Sequence, residues 1–190
     1  MRSSIKQIPN MLTLTNLFLG LMSILFLTQA GHPHKTLAVM AFILLGAVAD
    51  FLDGYLARRL NASTDMGKQL DSFADLVTFG IAPISLVNYL VPPAHSALIL
   101  VSSLVFVFAG AYRLARYNLG DFSDHFVGLP IPVAGVAVAV YCAAYLQWGA
   151  TQHPGGSTVI TALFVLSLSA LMVSRKKVKR VCGTRSKTLK

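Results

Sequence analysis

Six stretches of this chain are each nearly long and apolar enough to cross the hydrocarbon core of a bilayer, which is about 30 Å thick and takes roughly 20 residues of helix. They cover residues 11–30, 36–60, 68–92, 95–117, 129–149 and 156–174. Turn chemistry separates them: GHPHK from 31, NASTDMG from 61, VPPAH from 91, NLGDFSDHF from 118 and TQHPGG from 151. Lipid offers no water to an unpaired peptide group, so such stretches must be helices that satisfy their own backbones. The expected fold class is therefore all-α integral membrane, a six-transmembrane-helix bundle in one domain spanning residues 1–190. With 55% hydrophobic and 12% charged residues, an ordinary soluble domain is excluded.

The bases set the orientation. Arg2, Lys6, Arg58, Arg59, Lys68, Arg113, Arg116 and the basic tail 175–190 all fall on one side of a six-pass arrangement, and only Lys35 falls on the other. The positive-inside rule then makes both termini cytoplasmic, in the cell membrane. The net charge of +9 is concentrated in RKKVKR, directly after an apolar span, so its natural partner is an anionic lipid surface and not nucleic acid. Cys142 lies in an apolar segment and Cys182 in the tail, which argues against a disulfide or a cysteine metal site. The first apolar run is expected to stay in the mature protein, since Asn10, Thr13, Thr15 and Asn16 interrupt it and no small-residue cleavage site ends it.

The acids stand out against this background. None is Glu, and four aspartates sit in or beside the second and third spans. Asp50 and Asp53 are about 60° apart on a helix, and Asp71 and Asp75 about 40°. Two antiparallel helices joined by a short loop can aim all four into one gap, open to the cytoplasm. An ionised carboxylate near the bilayer centre costs at least about 2.5 kcal/mol, and four together repel one another. A divalent cation relieves both penalties, and hard oxygen donors suit Mg2+ or Mn2+. The plainer alternatives are helix-end ion pairs with Arg58, Arg59 or Lys68, or a solvated loop around Asp65.

Asp50, Asp53, Gly54, Ala57, Arg58, Gly67, Asp71 and Asp75 stand as D-x2-D-G-x2-A-R-x8-G-x3-D-x3-D, which resembles the signature of the CDP-alcohol phosphotransferases. The resemblance implies six transmembrane helices, a homodimer, and attack by an alcohol on a CDP-linked lipid with release of CMP. It implies metal binding by Asp50, Asp53, Asp71 and Asp75, with Asp75 also acting as the base. It implies binding of the CDP group by Gly54, Ala57, Arg58, Thr64 and Gly67, and of the CDP-lipid near Asn10, Thr13 and Asn16. The residue types fit independently: a small side chain leaves room for a nucleotide, Arg presents a planar donor array to phosphate, and phosphoryl transfer requires charge neutralisation and a base. Helix packing is the alternative for Gly54 and Ala57, and topology for Arg58.

The acceptor must be read outside the signature. IPNMLTLTNLFLG at the N-terminus, LDSFADLVTFGIAP, RLARYN at 113–118 and FVGLPIPVAG at 126–135 resemble the serine-accepting branch of the family, with CDP-diacylglycerol as donor and L-serine as acceptor. Relatives that accept glycerol phosphate carry DP-x-ADK where this chain reads DSFADLV. The carboxylate of serine calls for a cation, which Arg113 and Arg116 could supply from one helical face, with Asn118 adding an amide; topology alone would also place arginines there. Pro130 and Pro132 would break regular helix and shape a cavity wall. Another acceptor, such as inositol phosphate or glycerol phosphate, or an ether-lipid donor keeps the same chemistry. A divalent cation transporter is the rival from another class, because intramembrane acids mark cation pathways; a pore, however, would need polar groups along both halves of the helices.

Overall fold

The computed structural model describes residues 8–29, 34–60, 62, 64–91, 96–119, 126–149, 154–174 and 177–178. Helix α1 spans Ile8–Thr28 and α2 Lys35–Arg59. Helix α3, Asp65–Asp75, runs through a π-helical segment, Leu76–Ile81, into α4, Ala82–Leu90. Then follow α5 (Ser96–Leu119), α6 (Ile131–Ala144, continued as a π-helical turn to Gly149) and α7 (Pro154–Val173). Four of these rods, Pro9–Thr28, Lys35–Arg59, Asp65–Leu90 and Ala97–Leu119, are long and apolar enough to cross a membrane; Ile131–Gln147 and Thr158–Val173 are shorter apolar helices.

Helix α1 shows why this bundle is built for lipid. Met11, Leu14, Phe18, Leu21 and Leu25 form an exposed stripe, whereas Thr13, Asn16 and Ser23 are buried on the opposite face. Large apolar residues point out and small or polar ones point in, the reverse of a water-soluble helix. Helix α1 packs along α2 and also against α3 and the π-helical segment; α5 packs against α7; α6 closes the bundle against α2, α4 and the π-helical segment. Helices α2 and α3 make almost no close backbone contact with each other. The gap between them is where the site forms.

Two differences from the sequence reading bear on that gap. The turn expected over 61–67 is cut short, since α3 already begins at Asp65: Thr64 accepts a hydrogen bond from the Gly67 N–H at 3.0 Å and caps the helix, with Asp65 in its first turn. Further along this rod, in the first turn of α4, Pro83 has no N–H to give the carbonyl four residues back, and its ring crowds that position. The wider π-helical turn absorbs the defect, with the Ala82 N–H reaching Val77 O.

The all-helical expectation also misses one short strand pair. Phe126–Val127 (β1) pairs antiparallel with Lys177–Val178 (β2). Gly128, at φ +78, turns the chain between β1 and α6, and the Leu129 N–H bonds to Leu171 O at 3.1 Å. The rest of the basic tail, Cys182, and most of the loops at 31, 91, 118 and 151 lie outside the described residues. Lys35, expected from the sequence to be the lone base on its side, is pinned: its Nζ donates to Leu27 O at 3.3 Å at the end of α1 and lies 5.3 Å over the Tyr89 ring.

Candidate active site

At the end of the bundle remote from Lys35, one cavity of about 610 Å³ opens between α1, α2, α3, α5 and the start of α6. Helix α2 lines it with Asp53, Gly54, Ala57 and Arg58; α3 and its cap line it with Thr64, Gly67, Asp71 and Asp75. Helix α1 contributes Asn10 and Thr13, α5 contributes Arg113 and Asn118, and Pro130 and Pro132 close one wall.

Spacing on the two helices brings the acids together. One carboxylate oxygen from each of Asp50, Asp53 and Asp71 lies within 4.8 Å of the others. Asp50 is not on the cavity wall; its carboxyl lies beside that of Asp75. Asp53 and Asp75 are buried, and Asp53 accepts a hydrogen bond from the Thr13 hydroxyl at 2.8 Å. One oxygen each of Asp71 and Asp75 is buried with no partner. Among the described residues no Lys or Arg nitrogen comes within 4.0 Å of these four; the ion pair present is Lys68 with Asp65, at 3.4 Å and exposed. Helix-end ion pairing therefore does not account for the cluster.

Two like charges 4 Å apart repel by about 4 kcal/mol at an effective dielectric constant of 20. Neighbouring carboxylates with orphaned oxygens, all hard donors and, among the described residues, with no Lys or Arg nitrogen within 4.0 Å, fit a divalent cation by chemistry and by charge. Asp50, Asp53, Asp71 and Asp75 are the residues that would hold it.

The nucleotide side of the cavity is built from small residues and donors. The Arg58 guanidinium folds back over Gly54, so that a methyl group on Gly54 would sit 3.5 Å from its Nη1. Gly67 lies under Thr64 and Asn10, whose side-chain oxygens would be 3.0 and 3.1 Å from such a methyl. On the opposite wall Arg113 is 8% exposed and its Nε has no partner, a cation held inside with a donor to spare. Asn118 donates to Ser72 Oγ at 2.9 Å, linking α5 to α3 at the cavity mouth. Arg116, half-buried on the same helix, is not on the cavity wall.

Asn16 departs most from its expected place. It is fully buried, off the cavity wall, and both polar atoms of its carboxamide lack partners. Six residues along a helix is about 9 Å, so Asn16 lies that much deeper than Asn10, too far in to share its surroundings. Sequence reasoning overlooked Ser72 and Tyr117, both on the wall. The YN pair within RLARYN was the available signal for Tyr117; Ser72 has none beyond its place next to Asp71.

Comparison of the sequence with known proteins identifies the family. A family model described as CDP-alcohol phosphatidyltransferase matches residues 6–174. A CDP-diacylglycerol–serine O-phosphatidyltransferase of Bacillus subtilis is 37% identical over 172 residues, covering 90% of this chain and 88% of its own length. Proteins of the same name from Helicobacter pylori and Methanocaldococcus jannaschii are 33% and 32% identical, covering 90% and 88% of this chain and 73% and 71% of their own lengths. A signature of four aspartates built into facing helices, a match over nearly the whole sequence and relatives above 30% identity together mean that the chain belongs to the CDP-alcohol phosphatidyltransferase family.

Proposed function

We propose that this protein transfers the phosphatidyl group of CDP-diacylglycerol to the hydroxyl of L-serine, giving phosphatidylserine and CMP. The observation that carries the reading is the shared cavity: an acid cluster on one side, a buried arginine with a spare donor on the other, and small residues beside Arg58 between them. The curated relatives bear the name of this activity, which supports serine as acceptor over inositol phosphate or glycerol phosphate.

Arg58 and the backbone around Gly54 and Ala57 bind the CDP group, with Thr64, Gly67 and Asn10 on its other side. Thr13 keeps Asp53 in place. Arg113 takes the serine carboxylate through its fork of donors, while Asn118 braces the wall through Ser72 and Arg116 adds positive charge nearby. Asp75 accepts the serine hydroxyl proton as the oxygen attacks the lipid-linked phosphorus; the bond from that phosphorus to the CMP oxygen breaks and CMP leaves. A bound Mg2+ or Mn2+ ion, held by Asp50, Asp53, Asp71 and Asp75, would neutralise the charge that builds on the pyrophosphate. Burial of Asp75 away from bulk water favours transfer to serine over hydrolysis.

The same reading takes the chain as one domain with six spans in the cell membrane, both termini and the site on the cytoplasmic side, working as a homodimer. The acyl chains of the donor stay in surrounding membrane lipid and serine arrives from water. Purified protein incubated with CDP-diacylglycerol and a panel of alcohols tests the specificity: CMP release should require serine. Equal release with glycerol phosphate or inositol phosphate in its place would overturn the assignment of the acceptor.

A further inference from the structure

The packing of α1 against α2 has a regular register. Thr13 meets Asp53, and continuing antiparallel along both helices sets Asn16 level with Asp50 and Gly20 level with Gly46. The side chains bear this out at the deep end. A methyl group on Gly46 would lie 2.9 Å from Asn16 Oδ1, and Gly20 and Gly46 both press on Thr78, whose hydroxyl donates to the Asn16 carbonyl at 2.9 Å. Thr78 belongs to the π-helical segment that follows Asp75 directly. Asn16 is thus wedged where α1, α2 and the π-helical turn meet, level with Asp50 and one turn deeper than Thr13 and Asp53. Its backbone is bonded, yet its carboxamide is fully buried with Nδ2 and Oδ1 unpartnered.

A buried amide with neither group paired is rare, and it calls for a partner that appears in the working state. The polar groups that the helix register brings to this level belong to the acid cluster: Asp50 stands in register with Asn16 by the Thr13–Asp53 pairing, and Asp71 and Asp75 each have an orphaned oxygen. An amide can donate to a carboxylate and accept from a water at once. We infer that Asn16 is a positioning residue for the acid cluster: its carboxamide holds Asp50 from the buried side, directly or through one water, as the Thr13 hydroxyl holds Asp53 from the cavity side. Asn16 touches neither donor nor acceptor. It fixes the orientation of a carboxylate that would ligate metal, a task whose loss weakens metal binding about tenfold to a hundredfold in known sites.

This inference rests on the metal-binding role proposed for the aspartates. Its test is Mn2+ uptake by the full-length protein in detergent, read from loss of the electron paramagnetic resonance signal of free aqueous Mn2+, for wild type, Asn16→Ala and Asn16→Ser, with thermal unfolding measured on each. Ala and Ser leave nearly the same space behind, but Ser keeps a hydroxyl that both donates and accepts. Asn16→Ala should bind Mn2+ about tenfold or more weakly, and Asn16→Ser should recover most of that loss. Wild-type affinity in Asn16→Ala would overturn the inference, as would equal weakening in both variants, which would mark a packing role. No uptake by the wild type would instead bring down the metal-binding reading itself.

Discussion

The Thr13 hydroxyl lies 2.8 Å from Asp53 Oδ2 and 3.0 Å from the Pro9 carbonyl, so the single hydroxyl proton that could close its own helical turn is in reach of a buried carboxylate on the next helix. Hydrogen bonds to charged groups are worth about 1.5–3 kcal/mol, and here the bond also orients a proposed metal ligand. Thr13→Val keeps the shape and removes the donor. It should lower unfolding stability by about 1–3 kcal/mol and raise the Mn2+ concentration needed for half-maximal CMP release, while Thr13→Ser should restore both. A stable Thr13→Val variant with unchanged metal dependence would show that the bond is incidental.

Asp75→Asn preserves volume and one acceptor oxygen but cannot take up a proton. General-base catalysis contributes about 10²–10⁴-fold, so serine-dependent CMP release should fall by at least that factor, with more lost if a ligand is also lost. Measuring CMP by chromatography at saturating serine checks this. Turnover within threefold of wild type would remove Asp75 from the mechanism. Flux of Mn2+ into proteoliposomes that survived the substitution would point to transport instead.

Arg113 lines the cavity wall, and its buried Nε has no partner. Arg113→Lys keeps the charge and loses the planar fork, a poor exchange where a carboxylate is gripped by two donors. The KM for serine should rise about tenfold or more, equivalent to about 1.4 kcal/mol, while the KM for CDP-diacylglycerol changes little. A rise in the donor KM alone would move Arg113 to the lipid side of the site.

How much of this was legible in the chain depends on what each feature requires. Helices α1, α2, α3–α4 and α5 follow from apolar length alone, and their ends fall within three residues of the sequence reading. The aspartates were legible because Asp50 and Asp53, or Asp71 and Asp75, share a helix face by spacing, and a short loop fixes which helices meet. The place of Asn16 was not legible. Polarity at a three-residue interval says that Asn10, Thr13 and Asn16 lie near one face, but depth along α1 decides whether a side chain meets ligand or neighbouring backbone. The π-helical turn was also hidden, since Pro83 predicts a defect without its form. The Asn118–Ser72 bond depends on how α5 packs against α3, which no local pattern encodes.

Chelation should separate the acid cluster's role from simple structure. Four clustered carboxylates with no Lys or Arg nitrogen within 4.0 Å among the described residues would lose their compensating charge if the proposed cation were removed. EDTA should abolish CMP release, and Mn2+ or Mg2+ should restore it. Heating with and without Mn2+ should show an upward shift in Tm that grows with concentration, as any ligand of the folded state requires, and Asp71→Asn should shrink that shift. A Tm independent of Mn2+ between micromolar and millimolar concentrations would argue that no such ion binds.

Gly54 and Gly46 lie two helical turns apart on α2 and should answer the same substitution in opposite ways. At Gly54 an added methyl would make ordinary contact with Arg58, 3.5 Å from its Nη1, and would otherwise face the cavity. Gly54→Ala should therefore fold at least as well as wild type, gaining up to about 1 kcal/mol in helix propensity, while the KM for CDP-diacylglycerol rises because the methyl takes space proposed for the nucleotide. At Gly46 the same methyl would fall 2.6 Å from Thr78 Cγ2 and 2.9 Å from Asn16 Oδ1, inside a closed three-helix contact. Gly46→Ala should cost about 1–3 kcal/mol of stability through overpacking. Thermal unfolding and donor KM measured on both variants make the comparison. If Gly54→Ala lost stability and kept its donor KM, Gly54 would be a packing residue, and the nucleotide would have to be sought on another part of the cavity wall.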